Sequence, residues 1–270
     1  MVREFLAEHA DGDLLPWLRQ AEAMARFDLS CPAVEEAALE AGYLPARYQR
    51  NRHMISLPQQ LKLFRSKAAV VGCGGLGGYI LEELARLGVG RITAIDPDVF
   101  EEHNLNRQLL SSVENLGQAK VDAAEARIRQ INPAVRLLPV REAFSRENGA
   151  NLFDGMDVVI DAVDSIPVRL ELAEVCDRLK IPLVHGAIAG WYGHITTVYP
   201  GEDSVAKIYR HFKGGKGIEQ KLGNPSFTPA VVASLEAAEA CKVLLGEGTL
   251  LRNRKLSINL HDMEIEEVTF

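Results

Sequence analysis

Short apolar runs alternate with amphipathic segments from residue 67 onward. The apolar runs predict buried strands, at 68–71, 91–95, 135–140, 158–160 and 183–185. Apolar residues at helical spacing predict helices at 76–87, 120–131 and 168–179. Strands that alternate with helices in this way form a parallel sheet with crossover helices. The pattern therefore predicts an α/β fold with a doubly wound, Rossmann-like sheet.

The pattern changes after residue 185. Strands are predicted at 195–199, 255–260 and 264–270, with one further helix at 230–245. We expect these strands to extend the mostly parallel sheet with antiparallel neighbours. The polar segment at 213–229 is rich in Gly and Lys and predicts a loop.

The first 45 residues have a separate, helical pattern. Leu14, Leu15 and Leu18 begin a helix-spaced series that Cys31-Pro32 is expected to end, and a second short helix is predicted at 34–41. We therefore expect a helical N-terminal appendage at 1–45 and one main domain at 46–270.

Composition narrows the class of protein. The 270 residues are 47% hydrophobic and 25% charged, and no apolar run approaches the ~20 residues that span a bilayer. The start of the chain lacks the apolar stretch of a signal peptide, so we expect a cytoplasmic protein without membrane association. The net charge of −7 gives no general reason to expect nucleic-acid binding. The four cysteines form no C-x-x-C pair, so neither a zinc site nor a disulfide framework is expected.

A glycine-rich turn follows the first strand of the main domain. It reads Gly72-Cys73-Gly74-Gly75-Leu76-Gly77 and opens a helix, where backbone N–H groups can approach a phosphate. About twenty residues further on, the second strand ends in Asp96-Pro97-Asp98, placed to accept hydrogen bonds from a ribose. Together they predict a nucleotide site without distinguishing NAD from ATP. The alternative is that the glycines only allow close packing of helix against strand.

The residues that follow favour ATP. Asn104, Arg107, Gln108 and Lys120 lie just beyond the ribose-binding strand, and a triphosphate needs cations and amide donors of this kind. Asp161 and Asp164 follow the fourth strand, where a carboxylate can hold Mg²⁺ together with phosphate oxygens.

The order and spacing of these motifs resemble the ThiF/MoeB/HesA family, bacterial relatives of ubiquitin-activating enzymes. The matching segments are RYQRN at 47–51, GCGGLG at 72–77, DPD at 96–98, NLNRQ at 104–108, LGQAK at 116–120, INP at 131–133, DAVD at 161–164, HGAIAGWYGHITTVYPG at 185–201 and SLEAAEACKVLLG at 234–246. The resemblance implies an ATP-dependent adenylyltransferase. Such an enzyme activates the C-terminal Gly-Gly carboxylate of a small ubiquitin-like sulfur carrier as an acyl-adenylate.

The resemblance also implies roles for individual residues. Asp96 would hold the ATP ribose, and Asp164 would bind Mg²⁺, with Asp161 supporting the strand end. Arg50 would reach the ATP site of a partner subunit in a homodimer. The residues that would contact the phosphates are Asn104, Arg107, Gln108 and Lys120.

Two departures from the family qualify this expectation. Many relatives carry two C-x-x-C pairs for a structural zinc, so this chain resembles the zinc-free branch. Others use a cysteine in the crossover loop for a covalent step, but residues 201–230 contain none. Sulfur would therefore come from a separate protein. The loop at 213–229 is a candidate for receiving the tail of the carrier, with an ordinary surface loop as the alternative.

Three other functions remain open. The segment DAVDS at 161–165 also fits an ATP-dependent dehydratase of the same superfamily that cyclises a modified tRNA nucleoside. An NAD-dependent oxidoreductase would explain residues 72–98 but would leave 104–120 without a function. A binding module descended from the enzyme is the third alternative.

Overall fold

Each apolar run of the main domain forms a strand of one twisted sheet. The computed structural model describes residues 1–211 and 222–270. Its strands are β1 (Leu14–Leu15), β2 (Leu44–Pro45), β3 (Lys67–Val71), β4 (Arg91–Ile95), β5 (Arg136–Val140), β6 (Val158–Asp161), β7 (Leu183–Ala189), β8 (Tyr192–Val198), β9 (Arg254–Asn259) and β10 (Glu264–Thr269).

Helices cover both faces of this sheet. They are α1 (Val2–His9), α2 (Trp17–Phe27), α3 (Cys31–Glu40), α4 (Leu57–Arg65), α5 (Gly75–Leu87), α6 (Lys120–Ile131), α7 (Gly149–Leu152), α8 (Ile166–Leu179), α9 (Ser204–Tyr209) and α10 (Phe227–Leu245). No helix in the described ranges combines the length and the apolar character that a membrane span requires.

Eight strands make up the main sheet, in the order β10-β9-β8-β7-β6-β3-β4-β5. Strands β3 to β7 pair in parallel, and β8, β9 and β10 add to β7 as antiparallel neighbours. This confirms the predicted mostly parallel sheet with its antiparallel extension. The chain leaves β3 toward β4 on one side and reaches β6 on the other, so a crevice opens between the carboxyl ends of β3 and β6.

Strand β3 shows why the central strands read as continuous apolar runs. Ala68 and Val70 contribute to a core with α5 and α10, whereas Ala69 and Val71 contribute to a core with α8. Because both faces are covered, neither face of the strand needs polar residues.

The appendage differs from its prediction in detail. Leu14 and Leu15 form β1, which pairs in parallel with β2, rather than beginning a helix. Cys31 and Pro32 begin α3, because Ser30 caps the helix through a 3.4 Å hydrogen bond from the Ala33 N–H and proline fits the first turn. Helix α1 was not predicted. Its apolar side packs into a small core with β1, α2 and α3. The buried residues of this core are Phe5 and Leu6 of α1 with Leu15, Ala23, Val34 and Ala38. The division at residue 45 remains our proposal.

The loop predicted at 213–229 ends earlier than expected. Helix α10 begins at Phe227, so residues 227–229, with Pro229, belong to its start. Residues 213–221 lie outside the described residues. The strands β7 and β8 extend toward each other beyond their predicted ends and form a hairpin that turns at Gly190.

Candidate nucleotide-binding site

The glycine turn connects the end of β3 to α5 at the mouth of the crevice. Gly72 has φ +94°, and a Cβ there would lie 2.6 Å from the Ala162 carbonyl oxygen. A Cβ at Gly77 would lie 1.8 Å from the carbonyl oxygen of Gly72. These glycines therefore serve the close packing of the turn itself. That packing leaves the N-terminus of α5, a helix of thirteen residues, open toward the crevice.

Asp96 fixes the turn from the end of β4. Its side chain is 6% exposed, and Oδ2 accepts a 2.7 Å hydrogen bond from the Cys73 N–H. Oδ1 accepts a 2.8 Å bond from the Asp98 N–H. Asp96 thus organises the loop. Since a carboxylate has about four acceptor positions, it can still accept from a ribose hydroxyl.

Lys120 is held between two carboxylates at the first residue of α6. Its Nζ lies 3.0 Å from Asp98 Oδ2 and 3.8 Å from Asp96 Oδ1, and the residue is 7% exposed. A cation at a helix N-terminus opposes the helix dipole. The two carboxylates offset that cost and keep the ammonium group at the wall of the crevice.

The segment around the 3₁₀ helix Glu102–Asn104 supplies the opposite wall. Asn104 is buried, and its Oδ1 accepts a 3.0 Å bond from the Glu101 N–H, so this side chain caps the turn. Arg107 is half-buried and donates to the His103 carbonyl at 2.9 Å and to Asn106 Oδ1 at 2.8 Å. Gln108 is buried beside Gly74, and its Oε1 has no hydrogen-bond partner among the described residues.

The two carboxylates after β6 have different surroundings. Asp161 is fully buried; its Oδ2 lies 2.7 Å from His185 Nδ1, and its Oδ1 accepts a 3.1 Å bond from the Val163 N–H. Asp164 is exposed at the crevice, and no hydrogen bond or ion pair to it occurs within the described residues.

These elements enclose a pocket of about 380 Å³ at the switch point of the sheet. Most of the predicted site residues line it: Gly72, Gly74, Gly75, Leu76, Asp96, Asp98, Arg107, Gln108, Lys120 and Asp164. Gly77 and Asn104 lie behind the wall. Arg50 is exposed just after the 3₁₀ helix Ala46–Tyr48 and does not line the pocket of its own chain.

The sequence did not single out several other residues that line the pocket. Glu142 and Phe144 come from the segment after β5, Ile188 from the end of β7, and Asn224 from the segment before α10. Arg169 lies in the second turn of α8 and is 7% exposed. Its position five residues after Asp164 was a usable signal, because it places a cation on the helix that begins at the crevice.

None of the four thiols has the lowered pKa of a reactive cysteine. Burial raises the pKa of Cys31 to about 11 and raises that of Cys241. Burial, and after it the neighbouring carboxylate Asp96, raises the pKa of Cys73, and Cys176 is affected in the same way by burial and Asp161. Attack by a thiolate from these positions is therefore disfavoured.

No group of three His, Cys, Asp or Glu side chains is arranged to hold a metal ion in the part of the chain that the structure describes. A metal in the pocket would need ligands from the nucleotide in addition to Asp164.

Two relatives resemble the chain over most of their length. It is 35% identical to the SAMP-activating enzyme E1 of Haloferax volcanii over 228 residues, which are 83% of this chain and 84% of that protein. It is 34% identical to the sulfur carrier protein adenylyltransferase of Thermus thermophilus, over 81% of this chain and 85% of that protein.

A solved structure supports nucleotide binding at this fold. The tRNA N6-threonylcarbamoyladenosine dehydratase of E. coli, solved in complex with ATP, superposes with a TM-score of 0.64 at 27% identity, covering 74% of this chain and 94% of that one. The relatives named as adenylyltransferases, 31–36% identical to the chain over most of its length, show that it is an ATP-dependent adenylyltransferase. The family model that describes the ThiF family matches residues 48–270, and the chain belongs to that family.

Proposed function

We propose that the protein activates the C-terminal Gly-Gly carboxylate of a small ubiquitin-like sulfur carrier as an acyl-adenylate. The observation that carries this proposal is the pocket itself. At the carboxyl ends of the strands it combines a glycine turn with Lys120, Arg107 and the carboxylate of Asp164, which is unpaired within residues 1–211 and 222–270. The names of the two relatives, an E1 enzyme and a sulfur carrier adenylyltransferase, support the same substrate class.

The proposed reaction needs no general base. A carboxylate oxygen of the carrier attacks the α-phosphorus of ATP, the bond from that phosphorus to the bridging oxygen breaks, and pyrophosphate leaves. Because the nucleophile is already ionised at neutral pH, catalysis consists of positioning and of stabilising charge on the phosphates.

The charged residues of the pocket suit this task. Lys120 is held at the wall by its two carboxylates, and Arg107 is fixed at the rim by its bonds to His103 and Asn106. Both are placed to contact the phosphates. Gln108 is buried at the pocket, and its amide oxygen has no partner among the described residues. A hydroxyl or amino group of a bound nucleotide would supply the missing donor.

Mg²⁺ fits the site as a cofactor that Asp164 holds together with phosphate oxygens. Asp164 and Glu142 are the carboxylates at the pocket that no described side chain neutralises, and Asp164 is the one that follows β6 at the crevice. Mg²⁺ commonly uses one or two carboxylates and takes its other ligands from phosphate and water. The ion would neutralise charge on the phosphates of the bound nucleotide. Asp161 is engaged by His185 and Val163 and serves to support the loop.

The carrier would reach the pocket from the side of the β7–β8 hairpin. Trp191, Tyr192 and Phe227 are partly exposed there, with the Trp191 and Phe227 rings 4.6 Å apart. Asn224, which lines the pocket, lies close in sequence to Phe227. We propose that this surface receives the carrier and that its tail runs past Asn224 to the nucleotide.

We further propose a homodimer in which Arg50 of the partner subunit completes the site. Arg50 is exposed, unpaired within the described residues and absent from the pocket of its own chain. The pKa values of the four thiols are raised, so we assign sulfur delivery to a separate donor protein.

ATP–pyrophosphate exchange tests the proposal. Purified protein with Mg²⁺ should catalyse exchange only when a carrier with an intact Gly-Gly tail is present. A carrier lacking its two last residues is the control, and Asp164→Ala and Arg107→Ala should each lose the activity. Exchange that is indifferent to the tail would contradict the proposal.

The tRNA dehydratase is a second candidate, favoured by the structural similarity to the ATP complex of that enzyme. The same assay separates the two functions. ATP consumption that requires tRNA and not a carrier would establish the dehydratase.

A further inference from the structure

The loop between Asp161 and Ser165 is held through both backbone polar groups of a single residue, Val163. On one side, the Val163 N–H donates to Asp161 Oδ1 at 3.1 Å. On the other, Arg169 donates to the Val163 carbonyl through Nη2 at 2.7 Å and through Nε at 3.2 Å. Asp164 is the next residue in the chain, so the direction of its carboxylate depends on how Val163 is fixed.

The two sides are joined beneath the pocket by two ring side chains. Arg169 Nη1 donates to the Tyr209 hydroxyl at 2.7 Å, and the Tyr209 hydroxyl lies 3.1 Å from His185 Nε2. His185 Nδ1 lies 2.7 Å from Asp161 Oδ2. A closed circuit results, which we call the Val163 network: Asp161, Val163, Arg169, His185 and Tyr209.

Donors and acceptors in the Val163 network are consistent around the whole circuit. Burial lowers the pKa of His185, which favours the neutral ring. The partners then assign the tautomer: Nδ1–H donates to the Asp161 carboxylate, and Nε2 accepts from the Tyr209 hydroxyl. The Tyr209 oxygen in turn accepts from Arg169, so each of these bonds has one donor and one acceptor.

Burial makes the network rigid. Asp161 and His185 are 0% exposed and Arg169 is 7% exposed. Charge-assisted bonds of a planar guanidinium are directional, and in a site sheltered from water they are stronger than in solution.

We propose that Arg169 and His185 are positioning residues that fix the Asp164 loop for binding of the magnesium–nucleotide complex. They act through Val163 and Asp161. This inference rests on the proposed function, since it takes Asp164 as the residue that meets the metal.

The first test measures the loop without any ligand. Hydrogen exchange of the amides in residues 162–165 should be about tenfold faster in Arg169→Met than in the natural protein, because charged hydrogen bonds to the loop are lost. Arg178→Met is the matched control on the same helix. Arg178 is exposed, and its side chain makes one long hydrogen bond among the described residues, 3.5 Å to the Arg146 carbonyl, so this variant should exchange like the natural protein. Unchanged exchange in Arg169→Met would overturn the proposal.

The second test compares ATP binding with Mg²⁺ and with EDTA, by calorimetry. Arg169→Met should weaken binding about tenfold with Mg²⁺ and less than about twofold in EDTA, since the loop matters through the metal. Arg169→Lys keeps the positive charge but not the planar guanidinium with its two N–H donors to Val163. Its ATP affinity with Mg²⁺ should lie between those of the natural protein and Arg169→Met. His185→Asn retains a donor toward Asp161, loses the bond to Tyr209, and should also weaken binding chiefly with Mg²⁺.

Each outcome of the two tests bears on one claim. Equal weakening with Mg²⁺ and in EDTA would show that Arg169 contacts the nucleotide directly, which contradicts a positioning role. If Arg169→Met does not fold, Arg169→Lys and His185→Asn carry both measurements. Natural protein that binds no MgATP would contradict the proposed function, whereas natural binding with unaltered variants would contradict only the role of the Val163 network.

Discussion

Gly77 lies where any side chain would meet the backbone of the preceding turn. An added Cβ would come within 1.8 Å of the Gly72 carbonyl oxygen, so Gly77→Ala must displace either the turn or α5. We expect a loss of about 2–4 kcal/mol in the free energy of unfolding, measured with urea. Gly75→Ala is the matched control: its nearest neighbour would be Pro229 Cβ at 3.6 Å, an ordinary contact. Equal losses in both variants would contradict the packing argument.

Glu236 is a second residue whose environment makes a measurable prediction. It is fully buried on α10, neither carboxyl oxygen has a partner among the described residues, and burial raises its pKa well above 4.5, with Asp161 adding to the rise and Arg169 opposing it. Above a pH of about 4.5, the carboxyl group of Glu236 loses its proton in the unfolded chain and keeps it in the folded protein. Stability then falls by about 1.4 kcal/mol per pH unit until the folded pKa is reached.

The variant Glu236→Gln removes this titration. The free energy of unfolding of the variant minus that of the natural protein should be larger at about pH 7 than at about pH 5. Urea unfolding at the two pH values gives the comparison, and the shared contribution of other titrating groups cancels in the difference. A difference that does not change with pH would show that Glu236 titrates alike in both states.

Single residues also show which parts of the site could be predicted from the sequence. Lys120 could be predicted because a cation at the start of a helix is unfavourable without a partner or a ligand. The position of Arg169 at the crevice could be predicted from its spacing to Asp164. Its hydrogen bonds could not, since they go to Val163 and Tyr209, and the latter lies forty residues away in the chain. Gln108 was predicted to contact the phosphates, but its buried, unpaired oxygen became visible only in three dimensions.

At the scale of elements, strands and helices of the main domain were predictable where one period dominates. Strand β4 and helix α6 match their predicted bounds. Strands β7 and β8 were predicted too short, because Gly186 and Gly193 interrupt the apolar pattern. Both glycines are packing requirements of α10, since a Cβ would lie 2.3 Å from Glu236 Cδ in one case and 2.4 Å from Val232 Cγ2 in the other.

The junction between the appendage and the main domain depends on one buried carboxylate. Glu35 on α3 accepts a 2.7 Å bond from the Tyr48 hydroxyl and pairs with Arg47. Tyr48 also accepts a 2.8 Å bond from Asn132 after α6. This junction lies just before Arg50 in the chain. It therefore connects the appendage to the segment that we propose to act in the partner subunit.

Glu35→Ala should therefore destabilise the protein by about 3 kcal/mol, because it leaves Arg47 without its buried partner. The neighbouring variant Glu36→Ala is the control. It removes an exposed pair with Arg65 and should leave the urea midpoint almost unchanged. Similar midpoints for the two variants would contradict the assigned role of Glu35.

At the scale of the whole molecule, a homodimer with Arg50 acting across it predicts complementation. Arg50→Ala and Asp164→Ala should each be inactive in ATP–pyrophosphate exchange. When they are mixed and allowed to exchange subunits, about a quarter of all sites should combine an intact Asp164 with an intact Arg50 of the partner subunit. Activity near that fraction supports the arrangement, and a mixture as inactive as its parts contradicts it.

The position of the pocket was predictable from the fold, because the crevice of a doubly wound sheet lies at its switch point. The surface that we propose for docking of the carrier was not predictable. The surface around Trp191, Tyr192 and Phe227 is assembled from the β7–β8 hairpin and the start of α10, and its residues are separated by more than thirty positions in the chain. Nothing in the local pattern of either segment marks it.

In the proposed reaction, AMP is transferred to the tail of a carrier protein. The most direct measurement is to incubate the protein, Mg²⁺ and a Gly-Gly carrier with ATP labelled at either its α-phosphate or its γ-phosphate, and to follow label on the rapidly quenched carrier. We expect label on the carrier from the α-position only, none when the Gly-Gly tail is removed, and none with Asp164→Ala. Label from the γ-position, or a carrier that stays unlabelled while ATP is consumed, would contradict it.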